Sequence, residues 1–141
     1  MLTLDLANRV VTGTLAEART RNAKPLAVIV LDAGGHPIAF QREDGASFFR
    51  FDIARAKATG ALGMGADTRD IAARAAGNPA FFTTVAIATG GNLALSPGGV
   101  ILRDETGAAI GAVGVSGDTG DCDEECAFAG IAAAFSKGGT S

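Results

Sequence analysis

The stretch from Gly98 to Gly117, "GGVILRDETGAAIGAVGVSG", constrains the fold more than any other. Two runs of β-branched and small residues flank Asp-Glu-Thr-Gly, whose glycine suits a tight reversal, so the spacing predicts an antiparallel hairpin. Glycines at 111 and 114 leave the second strand bare where side chains would stand. Such a strand lets a helix, another backbone or a flat ligand approach closely. Close helix packing and a ligand floor are both open at this point.

The rest of the chain supplies the partners of that hairpin. Leu4, Ala7, Val11, Leu15 and Ala18 recur at helical spacing behind Thr3, a candidate N-cap, so a helix is expected from Leu4 to about Arg21. "LAVIVL" and "HPIAFQRE" on either side of "DAGG" read as a second hairpin, with the single histidine, His36, in its turn. From Arg50 the period returns to helical through "FDIARAKATGAL". "TRDIAARAAG" follows as a short helix stopped at Gly77 before Asn78-Pro79. "TTVAIAT" and "NLALS" read as two further strands, which extend the hairpin into a meander. Helix, hairpin, helices, meander, helix imply an α+β fold: one domain over residues 1–141, an antiparallel sheet of about five strands with helices packed on it.

The last helix carries the chemistry that is hardest to place. "GDCDEECAFAG" holds both cysteines, Cys122 and Cys126, and follows an acidic turn. Asp121 with Glu124 three residues later matches a capping box and sets the helix start near Cys122. The expected faces put Cys122, Cys126, Ala129 and Ala133 together, with Glu124, Phe128, Ile131 and Phe135 opposite. Two cysteines without a second pair are short of a zinc site, and their i,i+4 spacing is wide for a disulfide. Buried structural thiols, or a thiol activated at a helix N-terminus, remain.

Composition excludes several classes. Twelve basic against fifteen acidic residues, with no tyrosine or tryptophan, leave no basic, base-stacking surface, so nucleic acid is not an expected partner. No window approaches the roughly 20 apolar residues of a membrane span, and the N-terminus lacks a signal-peptide pattern, so no membrane partner and a cytoplasmic location are expected. The chain has no P-loop, dinucleotide fingerprint or Ser-His-Asp set.

"VIVLDAGGHPIAFQREDGA", "FDIARAKATGAL", "NPAFF" and "PGGVILRDETGAAIGAVGVSGDTGDCDE" follow one another as in the GlcG/HbpS-like family of small haem-binding-type proteins. The same family supplies the C-terminal domain of the PduO adenosyltransferases, and the chain resembles it over nearly its whole length. The resemblance implies a profilin-like domain that forms homo-oligomers, dimers or higher. Some members bind haem; others are encoded among catabolic enzymes. It points to the "DAGGH" turn (Asp32, Gly34, Gly35, His36), the "DIARAKA" helix (Asp52, Arg55, Lys57), the "PGG" turn (Pro97, Gly98, Gly99) and Ser116, Gly117, Asp123 and Glu124, expected to converge on one pocket. Cys122 departs from the family's usual polar residue.

Three functions are consistent with these residues. A haem or related tetrapyrrole could bind with His36 on the iron, or a thiolate of Cys122 or Cys126 instead. A catabolic enzyme could act on an organic acid held by Arg55, with Asp123 or Glu124 as general base beside Ser116; a carboxyl beside apolar phenylalanines would suit that role. The chain could also be a non-catalytic oligomeric partner of such an enzyme. Lys57 could hold an anion or form a surface or intersubunit ion pair.

Overall fold

A computed structural model describes the chain from residue 1 to residue 140, and the side-chain environments through residue 136. The first helix, α1 (Leu4–Thr20), begins where Thr3 Oγ1 accepts the Leu6 amide at 3.1 Å. Strands β1 (Ala27–Asp32) and β2 (Pro37–Arg42) form the hairpin around the His36 turn. Helices α2 (Phe49–Met64), α3 (Thr68–Gly77) and α4 (Pro79–Ala88) follow, then β3 (Gly99–Arg103), β4 (Ala109–Ser116) and α5 (Gly120–Thr140).

The sheet is antiparallel, in the order β2-β1-β4-β3. Four strands replace the expected five or so, because "TTVAIAT" lies in α4 and "NLALS" takes no regular structure. A short apolar run reads equally as a buried strand or a buried helix by periodicity, and here Pro79 in the first turn sets the helical start.

Alternation along the strands separates two apolar faces. Val28, Val30, Val100, Leu102, Val113 and Val115 face α1 and α5, with Val10, Val11, Cys126 and Ala127 opposite them. Ala27, Ile29, Leu31 and Ala112 face α2 through Ala54 and Ala58. The result is a three-layer arrangement with the sheet in the middle. A satellite core of Ile71, Ala75, Phe82 and Leu93 joins α3 and α4 to the rest.

Gly114 explains how close the layers come. A Cβ there would stand 1.9 Å from the Ala54 carbonyl oxygen, so α2 lies directly on the bare strand. At Gly114 the surface is therefore covered by a helix, and it offers no ligand floor. On the other side, α1 and α5 meet at Gly13 and Gly130; a Cβ on Gly130 would stand 2.2 Å from Thr14 Oγ1.

Helix α5 starts earlier than the capping-box reading placed it. Thr119 is the cap: its Oγ1 accepts the Cys122 amide at 3.2 Å and its carbonyl accepts the Asp123 amide at 2.9 Å. The buried stripe is Asp123, Glu124, Cys126, Ala127, Gly130 and Ala134, while Phe128 and Ala133 are exposed. The face expected from residue type is displaced because Asp123 and Glu124 turn inward to meet cations.

Candidate functional site

Two polar clusters stand at opposite ends of β1. Ser116 pairs with Ala27 at one end and Gly111 with Asp32 at the other, a separation of roughly 17 Å at about 3.3 Å per residue. The expected single pocket is therefore divided. Lys57, Gly98, Gly99, Ser116, Gly117, Asp123 and Glu124 gather at the first end; Asp32, Gly34, Gly35 and His36 occupy the second.

At the first end Lys57 reaches from α2 past the start of β3. Its Nζ donates to the Val115 carbonyl at 2.8 Å and to Asp123 Oδ2 at 3.1 Å. Lys57 is 2% exposed and Asp123 1%, so this is a buried ion pair, neither a surface nor an intersubunit one. Gly98, at φ +129°, makes room: a Cβ would meet the Val115 carbonyl at 2.7 Å and Lys57 Nζ at 2.8 Å. Burial pulls the Lys57 ammonium below its ordinary value, and Asp123 opposes that pull. Asp123 Oδ1 also accepts the Asp118 amide at 3.0 Å.

Glu124 faces Arg69 of α3, whose Nε donates to Oε1 at 2.8 Å and whose Nη2 reaches Asp121. Asp123 and Glu124 thus have cations for neighbours where an acid/base reading expected phenylalanines. Arg50, in the first turn of α2, donates from Nη1 to the buried Ser116 Oγ at 3.2 Å. Arg55 points elsewhere: it is exposed and stacks over Phe51, 5.9 Å from the ring centroid. The sequence reading missed Arg50 and Arg69. An arginine inside the aromatic run "FFRF" was the available signal for the first; Arg69 meets residues 52 and 55 positions away, which no local pattern reveals.

At the second end the turn is organised by one carboxylate oxygen. Asp32 Oδ1 accepts the Gly34 and His36 amides, each at 2.9 Å, and lies 3.2 Å from His36 Nδ1. Those amide bonds, that of His36 foremost, hold the Asp32 carboxyl below its usual range. The imidazole folds back over Gly34, where a Cβ would approach its Cε1 to 2.9 Å. Gly35 takes φ +83° in open space, so its role is conformational. Beside this turn lies a cleft of 390 Å³ whose lining includes Met1, Leu2, Gly34, Ile38, Ala109 and Ile110.

The sulfurs lie in neither cluster's open surface. Cys126 is fully buried on α5, and burial, aided by the neighbouring Cys122 thiol, pushes its thiol up to about 12. Both cysteines are free, with Cys122 half-buried. Among the described residues no group of three or more His, Cys, Asp and Glu could hold a metal ion, and no helix is long and apolar enough to cross a membrane.

The chain's likeness to known proteins agrees with this architecture. A family model described as "Haem degrading protein HbpS-like" matches residues 2–132. A double mutant of HbpS from Streptomyces reticuli is 30% identical, with 93% of this chain and 85% of that one covered at a TM-score of 0.79. Protein ORFY of Klebsiella pneumoniae is 25% identical, with 95% and 90% covered at 0.86. A complex of PduOC with haem is 23% identical, with 94% of both chains covered at 0.84, a likeness of fold. No curated protein matches significantly. With the family model spanning all but the ends of the sequence, the chain belongs to the HbpS-like family.

Proposed function

We propose that the chain binds haem or a closely related tetrapyrrole at the turn between β1 and β2, with His36 facing the iron. The observation that carries this reading is the Asp32–His36 contact. With Nδ1 directed at an ionised carboxylate, the ring proton is assigned to Nδ1 and the Nε2 lone pair is left free. A carboxylate that orients a histidine in this way is the usual support of a metal-bound imidazole. His36 is 80% exposed at the side chain, so Nε2 is accessible to a ligand as large as a macrocycle.

The adjacent cleft fits the same group. Leu2, Ile38 and Ile110 offer apolar surface for one edge of a planar ring, next to the imidazole. The thiolate alternative fits less well, because Cys126 is sealed in the core and stays a neutral thiol at physiological pH. Bound haem would supply the iron chemistry; the residues here position the imidazole, fix its tautomer and shield one ring edge from water. The family's description and the haem complex of PduOC support this choice of ligand. The three-layer arrangement is read as profilin-like. A homo-oligomeric state is supported by α4, which leaves Phe81 51% and Ile87 75% exposed.

Titration with haemin, followed at the Soret band, tests the proposal. A saturable shift is the expected result, and no shift at micromolar haemin removes the reading. The organic-acid enzyme is less well supported: Asp123 and Glu124 are each engaged by a cation, an arrangement that holds a charge in place.

A further inference from the structure

The two edges of the sheet differ in how their backbone groups are met. On the outer side of β3 the Gly99 amide donates to Thr68 Oγ1 at 2.8 Å and the Ile101 amide to Asp67 Oδ1 at 2.9 Å, so the start of α3 satisfies that edge. The other edge is β2. There the Glu43 amide donates to the Leu26 carbonyl at 2.8 Å, which makes Leu26 and Glu43 a hydrogen-bonded pair continuing the β1–β2 ladder. Alternation from that pair turns the backbone groups of Ala39 and Gln41 toward β1 and those of Phe40 and Arg42 outward. Among the described residues no backbone or side-chain group bonds to the outward amides and carbonyls of Phe40 and Arg42.

The side chains along this open edge share one face. Phe40 stands opposite Ile29 and Arg42 opposite Ala27, and Ile29 and Ala27 both face α2. Phe40 is 38% exposed and meets Phe51 of α2 edge to face, with ring centroids 5.0 Å apart. The Arg55 guanidinium lies over the far ring of that pair, 5.9 Å from the Phe51 centroid. Arg42 and Arg55 are both exposed, and among the described residues neither takes part in an ion pair. Unpaired backbone groups, aromatic surface and two unmatched cations therefore border one another.

We infer that β2 receives an extended, acidic segment of another protein as an added antiparallel strand. Such a strand would bond to the backbone of Phe40 and Arg42 and place its own side chains beside theirs. The residue opposite Phe40 would be apolar. Two positions earlier in the partner, opposite Arg42, an aspartate or glutamate would answer the cation, so the recognised pattern is acidic-x-apolar. Asp44, just past the strand, disfavours a second acid beyond that place. A second copy fits this edge poorly, because two β2 strands paired here would set four unmatched arginines on one face. Pro37 lacks an amide hydrogen and a bulge separates it from Ala39, which confines the pairing to a short stretch and makes it weak.

The chain has no tyrosine or tryptophan, so a tryptophan on a peptide reports binding without background. The probe is the capped peptide Thr-Val-Glu-Thr-Val-Thr-Trp, read by its emission and by amide hydrogen exchange of the full chain, with no haem present. Saturable binding with a Kd of about 0.1–1 mM is expected, with the Phe40 and Arg42 amides exchanging freely before and slowed after peptide is added. Methylating the nitrogen of the second valine, which faces Phe40, should abolish binding, whereas methylating that of the threonine before it should not. Arg42→Glu should weaken the peptide about fivefold or more, and a peptide with lysine in place of glutamate should recover the loss on that variant. Arg103→Glu, at the end of β3, should leave binding unchanged. Equal binding of the glutamate and lysine peptides by the parent, no binding of either, or indifference to methylation at the valine would each overturn the inference. Slowed exchange of Phe40 and Arg42 with rising protein concentration alone would give the edge to a second copy and overturn it too. No variant or peptide here alters Asp32 or His36, so the haem reading stands or falls separately.

Discussion

Lys57 and Asp123 are 66 positions apart in the chain, yet Nζ and Oδ2 stand 3.1 Å apart with both side chains almost wholly buried. The pair ties α2 to α5 across the end of the sheet, and the Val115 carbonyl and the Asp118 amide complete its hydrogen bonding. A buried pair of this kind contributes little against a well-packed apolar replacement, but losing one partner strands the other charge. Lys57→Met or Asp123→Leu alone should each cost about 3–5 kcal/mol in urea denaturation. The double replacement should recover much of that loss. A single variant as stable as the parent would show that the pair is open to water.

Gly114→Ala should destabilise the protein by about 1–3 kcal/mol, since the new methyl meets backbone, the Ala54 carbonyl, and cannot be relieved by a side-chain rotation. Gly35→Ala is the matched comparison: nothing lies within 4 Å of its Cβ, and the cost is that of a left-handed backbone alone, about 1 kcal/mol. Thermal melts of the two variants should rank them in that order.

Cys126 gives the protein a specific alkaline dependence. Its folded-state pKa of about 12 lies above the ordinary 9.0, so its contribution is complete below pH 9.0 and is lost as pH rises through about 12. The stability difference between the parent and Cys126→Ala should therefore shrink across that window while other groups cancel. In the native protein at pH 8, a thiol reagent should modify at most Cys122, and Cys126 only after unfolding.

The parts of this fold that could be read from the sequence are those with a local signature. Thr3 caps α1 as its position suggested, Asp32 to His36 form the hairpin turn, and the glycines of β4 mark a close approach. The helix α4 escaped because "FFTTVAIAT" is apolar on every side, so neither period stands out. Of the residues of α4, only Phe82 is buried. The face of α5 was misjudged for a related reason: its buried stripe includes Asp123 and Glu124, whose cations come from α2 and α3. Residue types named most of the first cluster, but only the register of β1 against β4 shows that His36 is not part of it.

The most direct measurement is a haemin titration of the parent, His36→Ala, Asp32→Asn and Cys122→Ala proteins side by side, followed at the Soret band. The expected result is one haem per chain for the parent, loss of the shifted band in His36→Ala, affinity weakened about 10- to 100-fold in Asp32→Asn, and no change in Cys122→Ala. An unaltered spectrum and affinity in His36→Ala, or loss of binding in Cys122→Ala, would contradict the assignment of the iron to the β1–β2 turn.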